Sequence, residues 1–237
     1  SNSLATNFKM WDRQVEPLQM EGFKVVRYDS RGHGQSDAPQ GPYSIEMLAD
    51  DAAGLLDYLS IDSAHFCGLS KGGMVGQMMG VRHAQRIKSL TLADTAAAMP
   101  AKDVWEQRIA MVRDGGMEAV VNGTVDRWIT LAGQQRSPDE VAQVREMILS
   151  TPVAGFIGCA QAIMAMDMRP TNPSITKPTL VICGEEDTGT TPEQAKEIAD
   201  TIPGAALELL PNAAHLANIE QPVAFTNSLL QHLLANR

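Results

Sequence analysis

Ala64-His65-Phe66-Cys67-Gly68-Leu69-Ser70-Lys71-Gly72-Gly73 passes, within ten residues, from a β-type run into a small-residue helix. Its centre, Gly68-Leu69-Ser70-Lys71-Gly72, fits the pattern G-x-S-x-G. A serine on a sharp strand-to-helix turn has its hydroxyl exposed, and the turn is too tight for side chains on either flank. Ser70 is therefore a candidate nucleophile. The competing reading is an incidental serine in a glycine-rich turn, so the weight falls on the surrounding chain.

Outward from this turn the sequence alternates. Phe23-Lys24-Val25-Val26-Arg27-Tyr28-Asp29 reads as a buried parallel strand. Arg31-Gly32-His33-Gly34-Gln35-Ser36 is a glycine-punctuated loop, and Ser44 is placed to cap a helix carrying Ile45, Leu48, Ala52, Leu55 and Leu59. Ile87 to Ala93 is the next strand. Short joints between such elements predict right-handed crossovers and a parallel sheet. From Pro100 to Met168 only helical patterns occur: Val104 to Arg113, Met117 to Leu131, Pro138 to Leu149 and Phe156 to Met166. Alternation resumes with strands at 178–183 and 207–210 and helices at 192–202 and 222–234. The expected organisation is a core in two parts, 1–99 and 171–237, with a helical cap over 100–170.

Composition narrows the function classes. Hydrophobic residues make up 44% of the 237 and charged residues 20%, as in ordinary globular proteins. The net charge of −9 argues against a nucleic-acid partner and against an electrostatic membrane anchor. No apolar run approaches the length of a membrane span. Cys67, Cys159 and Cys183 lack metal-finger spacing and read as buried thiols in a reducing compartment, which points to the cytoplasm. Ser1 to Ala5 shows neither the basic nor the apolar region of a signal peptide.

A serine hydroxyl needs a base, and histidine titrates in the right range. Asp187 lies just past the strand ending at Cys183, and His215 just past the one ending at Leu210. Those are the carboxyl ends of strands, where α/β sheets present their sites. Glu185 and Glu186 compete with Asp187 for the acid. Of the other histidines, His33 sits in the glycine loop, His65 opens a strand, and His83 and His232 lie on helices. No two histidines have metal-ligand spacing, so no metal is assigned.

The whole pattern resembles the α/β-hydrolases, and within them the 3-oxoadipate enol-lactonases of the β-ketoadipate pathway. The likeness is carried by Ser1-Asn2-Ser3-Leu4, Met10-Trp11-Asp12, Tyr28 to Pro39, Gly41-Pro42-Tyr43, Ala64 to Gln77, Gly115-Gly116-Met117, Arg127-Trp128 and Ala213 to Pro222. It implies the chain order Ser70, Asp187, His215 for a catalytic triad. It also implies an oxyanion hole from the backbone N–H groups of Leu4 and Lys71. The reaction would be cofactor-free hydrolysis of a small enol-lactone through an acyl-enzyme. A carboxylate-bearing substrate implies a cationic partner, for which Arg127, beside Trp128, and Lys71 are the candidates. Three features depart from the family pattern. Further N-terminal residues forming the sheet's first strands are expected ahead of Ser1. Lys71 stands where an apolar residue is usual. The stretch Thr188-Gly189-Thr190-Thr191 before Pro192 is one residue longer than usual. A general carboxylesterase, a cofactor-free perhydrolase and a ligand-binding protein with little turnover are the other readings, and a homo-oligomer stays open.

Overall fold

The computed structural model describes residues 1–99 and 101–237. Four parallel strands form one sheet in chain order: β1 (Ala64–Leu69), β2 (Ile87–Ala93), β3 (Thr179–Gly184) and β4 (Ala206–Leu210). The register aligns their carboxyl ends. Leu69 lies opposite Ala93, Ala93 opposite Ile182, and Gly184 opposite Leu210. The loops that leave the four strands therefore emerge along one edge of the sheet.

Helices cover the sheet. α1 (Asp12–Met20) and α2 (Ile45–Tyr58) precede β1, and α3 (Lys71–Arg82) comes after it. Ser44 caps α2, its hydroxyl accepting from Met47 N–H at 3.1 Å. Between β2 and β3 lie α4 (Lys102–Gly115), α5 (Val121–Trp128), α6 (Leu131–Arg136), α7 (Pro138–Leu149) and α8 (Val153–Ala165). This is the helical insertion, and an antiparallel bridge between Ala98 and Asp167 ties its two roots together. α9 (Pro192–Thr201), α10 (Ala217–Glu220) and α11 (Pro222–Ala235) complete the chain. No single described helix is long and apolar enough to cross a membrane.

Two sequence expectations need correction. The stretch expected as one helix from Met117 to Leu131 is a 3₁₀ turn and two helices. Ile129 turns extended, and Thr130 then caps α6, its hydroxyl accepting from Gly133 N–H at 2.9 Å. Capping by Thr130 satisfies an orphan donor that helix continuation would not need. The other correction concerns 23–29, which is extended but belongs to no described strand. A groove of about 470 Å³ separates it from β1, lined by Leu18, Val25, Leu55, Leu56, Phe66 and Leu233 among others. Without a neighbour at ladder distance, a β-type sequence has nothing to pair with.

Candidate active site

The turn after β1 has the strain that the sequence implies. Ser70 adopts φ +56°, ψ −115°, a conformation L residues rarely hold and one that recurs where structure serves function. A Cβ on Gly68 would come 2.0 Å from Gly72 O, and one on Gly72 would come 2.2 Å from Ser1 O. Both collisions are with backbone, so neither position can give way cheaply. Ser70 Oγ has no hydrogen-bond partner among the described residues and is not sealed from solvent.

Asp187 and His215 come together from the loops after β3 and β4. Asp187 Oδ2 lies 2.7 Å from His215 Nδ1. That bond fixes Nδ1–H as donor and leaves Nε2 as the ring's acceptor, facing away from the carboxylate. Burial pushes the Asp187 carboxyl up, but the neighbouring His215 and bonds from Thr190 outweigh it and hold it below its ordinary range. The loop before Pro192 supplies these bonds. Gly189 N–H and Thr190 N–H donate to Asp187 Oδ1 at 2.8 and 3.0 Å, and Thr190 Oγ1 donates to Oδ2 at 2.8 Å. The residues that look irregular in sequence therefore wrap the acid. Glu185 and Glu186 are exposed, with their backbone N–H groups tied to Leu210 and Ala213, and stand apart from the imidazole bond.

A second carboxyl lies behind this pair. Asp94, at the end of β2 with φ +42°, accepts from Gly184 N–H at 2.8 Å and from Ala217 N–H at 3.3 Å. It thus staples the loop bearing Asp187 to the helix after His215. Burial, then the charge of Asp187, pushes it well above the ordinary carboxylate range. Asp94, Cys183 and Asp187 bring ligand atoms within 4.8 Å of one another. All three already have protein partners: Cys183 Sγ bonds the Gly184 and Thr190 carbonyls at 3.4 and 3.5 Å. The arrangement works as a hydrogen-bonded joint.

The expected oxyanion donors, Leu4 and Lys71, come from two separate segments. Lys71 opens α3, where the first N–H groups of a helix have no intrahelical acceptor. On the N-terminal loop, Ser3 N–H donates to Met10 Sδ at 3.3 Å and Ala5 N–H to His33 Nε2 at 2.9 Å. Leu4 N–H between them makes no hydrogen bond among the described residues. The histidine of the glycine loop therefore supports this segment, a role that sequence alone does not show. Its only signal there is its place between two glycines.

The other candidates separate. Trp128 stacks on His215, ring centroids 5.7 Å apart and planes at 29°, and its carbonyl accepts from Leu216 N–H at 3.0 Å. Arg127, one residue earlier, is exposed. The Lys71 side chain is 0% exposed, its Nζ bonded to Ser30 Oγ, so its ammonium cannot meet a substrate. Of the thiols, Cys159 and Cys183 are buried as expected and Cys67 only partly.

Residues 2–222 match the family model described as alpha/beta hydrolase fold. The chain belongs to the α/β-hydrolase family. This hydrolase is 36% identical over 229 residues to 3-oxoadipate enol-lactonase 2 of Acinetobacter baylyi, covering 97% of this chain and 85% of that one. Among solved structures it superposes on the enol-lactonase of Burkholderia xenovorans with a TM-score of 0.96 and 43% identity, over 99% of this chain and 89% of that one. A thermophilic esterase of Thermogutta terrifontis, solved with malate bound, gives a TM-score of 0.93 at 30% identity, over 99% and 88%. The protein is thus a hydrolase related to the enol-lactonases.

Proposed function

We propose that this hydrolase opens a carboxylate-bearing enol-lactone, 3-oxoadipate enol-lactone, to 3-oxoadipate. The observation that carries the reading is the strained Ser70 turn at the same sheet edge as the 2.7 Å Asp187–His215 pair, in a chain 36–43% identical to enol-lactonases. Ser70 Oγ attacks the lactone carbonyl while His215 Nε2 takes its proton. The N–H groups of Leu4 and Lys71 stabilise the oxyanion. Collapse breaks the ring C–O bond, and His215 returns the proton to the enol oxygen that leaves. The leaving group stays tethered in the acyl chain as an enol, which tautomerises to the 3-oxo group by shifting that proton from oxygen to carbon. Water, deprotonated by His215, then cleaves the acyl-enzyme and frees Ser70. Trp128 walls the imidazole, and Arg127 adds positive charge nearby.

The esterase neighbour supports a broader reading, hydrolysis of neutral esters on the same residues. Turnover of the enol-lactone, measured beside a neutral aryl ester, separates the two. Wild-type protein is expected to prefer the lactone, and Ser70→Ala to lose roughly a million-fold in kcat, as triad knockouts do. Hydrolysis of the aryl ester alone would establish the broader reading, and an active Ser70→Ala variant would remove the turn from the chemistry.

A further inference from the structure

Six arginines of this acidic chain are paired with carboxylates: Arg13, Arg27, Arg31, Arg82, Arg86 and Arg169. Arg108, on α4 in the cap, has no carboxylate partner among the described residues, although it is less exposed than Arg13, Arg82 and Arg169. Its guanidinium lies 4.9 Å from the centroid of Trp105 and 5.9 Å from that of Phe156. Its Nη2 reaches Thr124 Oγ1 only at 3.5 Å, and its Nε is sealed from solvent with no acceptor among the described residues. An unpaired, desolvated cation is costly, and here Arg127 adds like charge. Burial first and that neighbour second lower its pKa to about 10. As a residue Arg108 keeps partial exposure.

Two separate chains of contacts lead from this group to the candidate active site. Thr124 and Trp128 share a face of α5, about 6 Å apart as residues four apart on a helix are, and Trp128 is the ring stacked on His215. On the other side Phe156 follows Gly155, whose hypothetical Cβ would lie 1.9 Å from Gly32 O. Gly32 adjoins His33, which holds Ala5 next to Leu4. The guanidinium thus lies between α5, which packs on the base through Trp128, and α8, which packs on the glycine loop that supports the oxyanion segment.

We propose that Arg108 is the carboxylate anchor of the substrate pocket: its planar fork, framed by Trp105, Phe156 and Thr124, receives an acid group borne by the molecule whose acyl carbon meets Ser70. This rests on the reading of the site as an ester- or lactone-cleaving centre and assigns its charge preference. The anchor differs from both candidates that sequence offered, Lys71, which is buried, and Arg127. Arg127 is more exposed than Arg108 and faces more solvent screening.

The test uses p-nitrophenyl esters of matched length, one ending in a carboxylate (the glutarate monoester) and one neutral (the valerate), with wild type, Arg108→Gln, Arg108→Lys and Arg127→Gln. The readout is the ratio of kcat/KM for charged over neutral ester, which cancels any general loss of folded enzyme. Arg108→Gln is expected to lower that ratio about ten- to a hundred-fold through KM, the usual range for a charge-assisted contact. Arg108→Lys should recover part of it, and Arg127→Gln should lower it less. An unchanged ratio in Arg108→Gln, or a larger drop in Arg127→Gln, overturns the assignment. Enol-lactone is assayed on the same preparations. If wild type fails to open it yet the ratio still depends on Arg108, the lactone reading falls and the anchor stands. If wild type opens it and the ratio ignores Arg108, the anchor falls alone.

Discussion

His33 is sealed from solvent, and both of its ring nitrogens are engaged. Nδ1 lies 3.1 Å from Arg31 O and must donate there, which leaves Nε2 to accept from Ala5 N–H at 2.9 Å. Only the neutral ring can do both, and burial followed by the nearby Lys71 charge keeps its pKa well below the ordinary histidine value. Ala5 itself sits at φ +56°, a strained position for alanine. The imidazole therefore holds the loop that carries Leu4 N–H. In the proposed reaction this donor acts mainly on the tetrahedral oxyanion, so its misplacement should appear in kcat. His33→Phe is expected to lower kcat by about a hundred-fold, the lower end for loss of such a donor, with KM little changed. His33→Gln, whose amide oxygen can accept from Ala5, should recover much of it. Affinity for a boronic acid that forms the tetrahedral adduct should fall in step with kcat. A drop confined to thermal stability would leave His33 with packing alone.

At the scale of elements, the joint between cap and core is a backbone-to-backbone contact. α8 crosses the glycine loop with Gly155 against Gly32, where a Cβ on Gly155 would come 1.9 Å from Gly32 O and one on Gly32 would come 2.4 Å from Gly155 Cα. Nothing flexible stands there to yield. Gly155→Ala should push α8 off the loop at a cost of about 1–3 kcal/mol, the range for overpacking, and should raise KM by disturbing the pocket's cap side. Urea denaturation and steady-state kinetics check the two halves. The sequence shows neither member of this contact, because each glycine lies in a different element more than a hundred residues from the other. What the sequence does carry is local. β1 to β4 fall close to where β-branched and apolar runs place them, and Ser44, a local cap, starts α2 as expected. α1 escapes because Pro17 stands inside it and breaks the helical pattern. The 23–29 segment looks like a strand because its composition is right, but pairing depends on a neighbour and not on composition. In the site, Ser70 and His215 are legible from motif and order. The Thr190 bonds and Arg108 are not, since both depend on contacts that motif and order do not encode.

Over the whole molecule, the two neighbouring carboxyls at the imidazole should tilt stability with pH in opposite senses. Asp187 has a folded pKa below its unfolded value, which is about 4. Its contribution is fully present above that unfolded value and is lost as pH falls through the lower folded one. Asp94 has a folded pKa well above its unfolded value. Its contribution is fully present below about pH 4, the unfolded value, and is lost as pH rises through the raised folded one. Asp94→Asn keeps an oxygen for Gly184 N–H but cannot titrate. The Tm difference between wild type and Asp94→Asn should therefore shift in favour of wild type as the pH is lowered from 8 towards 4. The advantage of wild type over Asp187→Asn should also grow from pH 8 towards 4, because the variant lacks the charge that helps raise Asp94, and should shrink at lower pH as Asp187 itself takes up a proton. Thermal unfolding monitored from pH 8 to pH 3 on the three proteins reads both slopes. If the Asp94→Asn difference is flat across the window, Asp94 does not hold its proton in the folded state. The joint between the two loops would then have to tolerate two neighbouring negative charges.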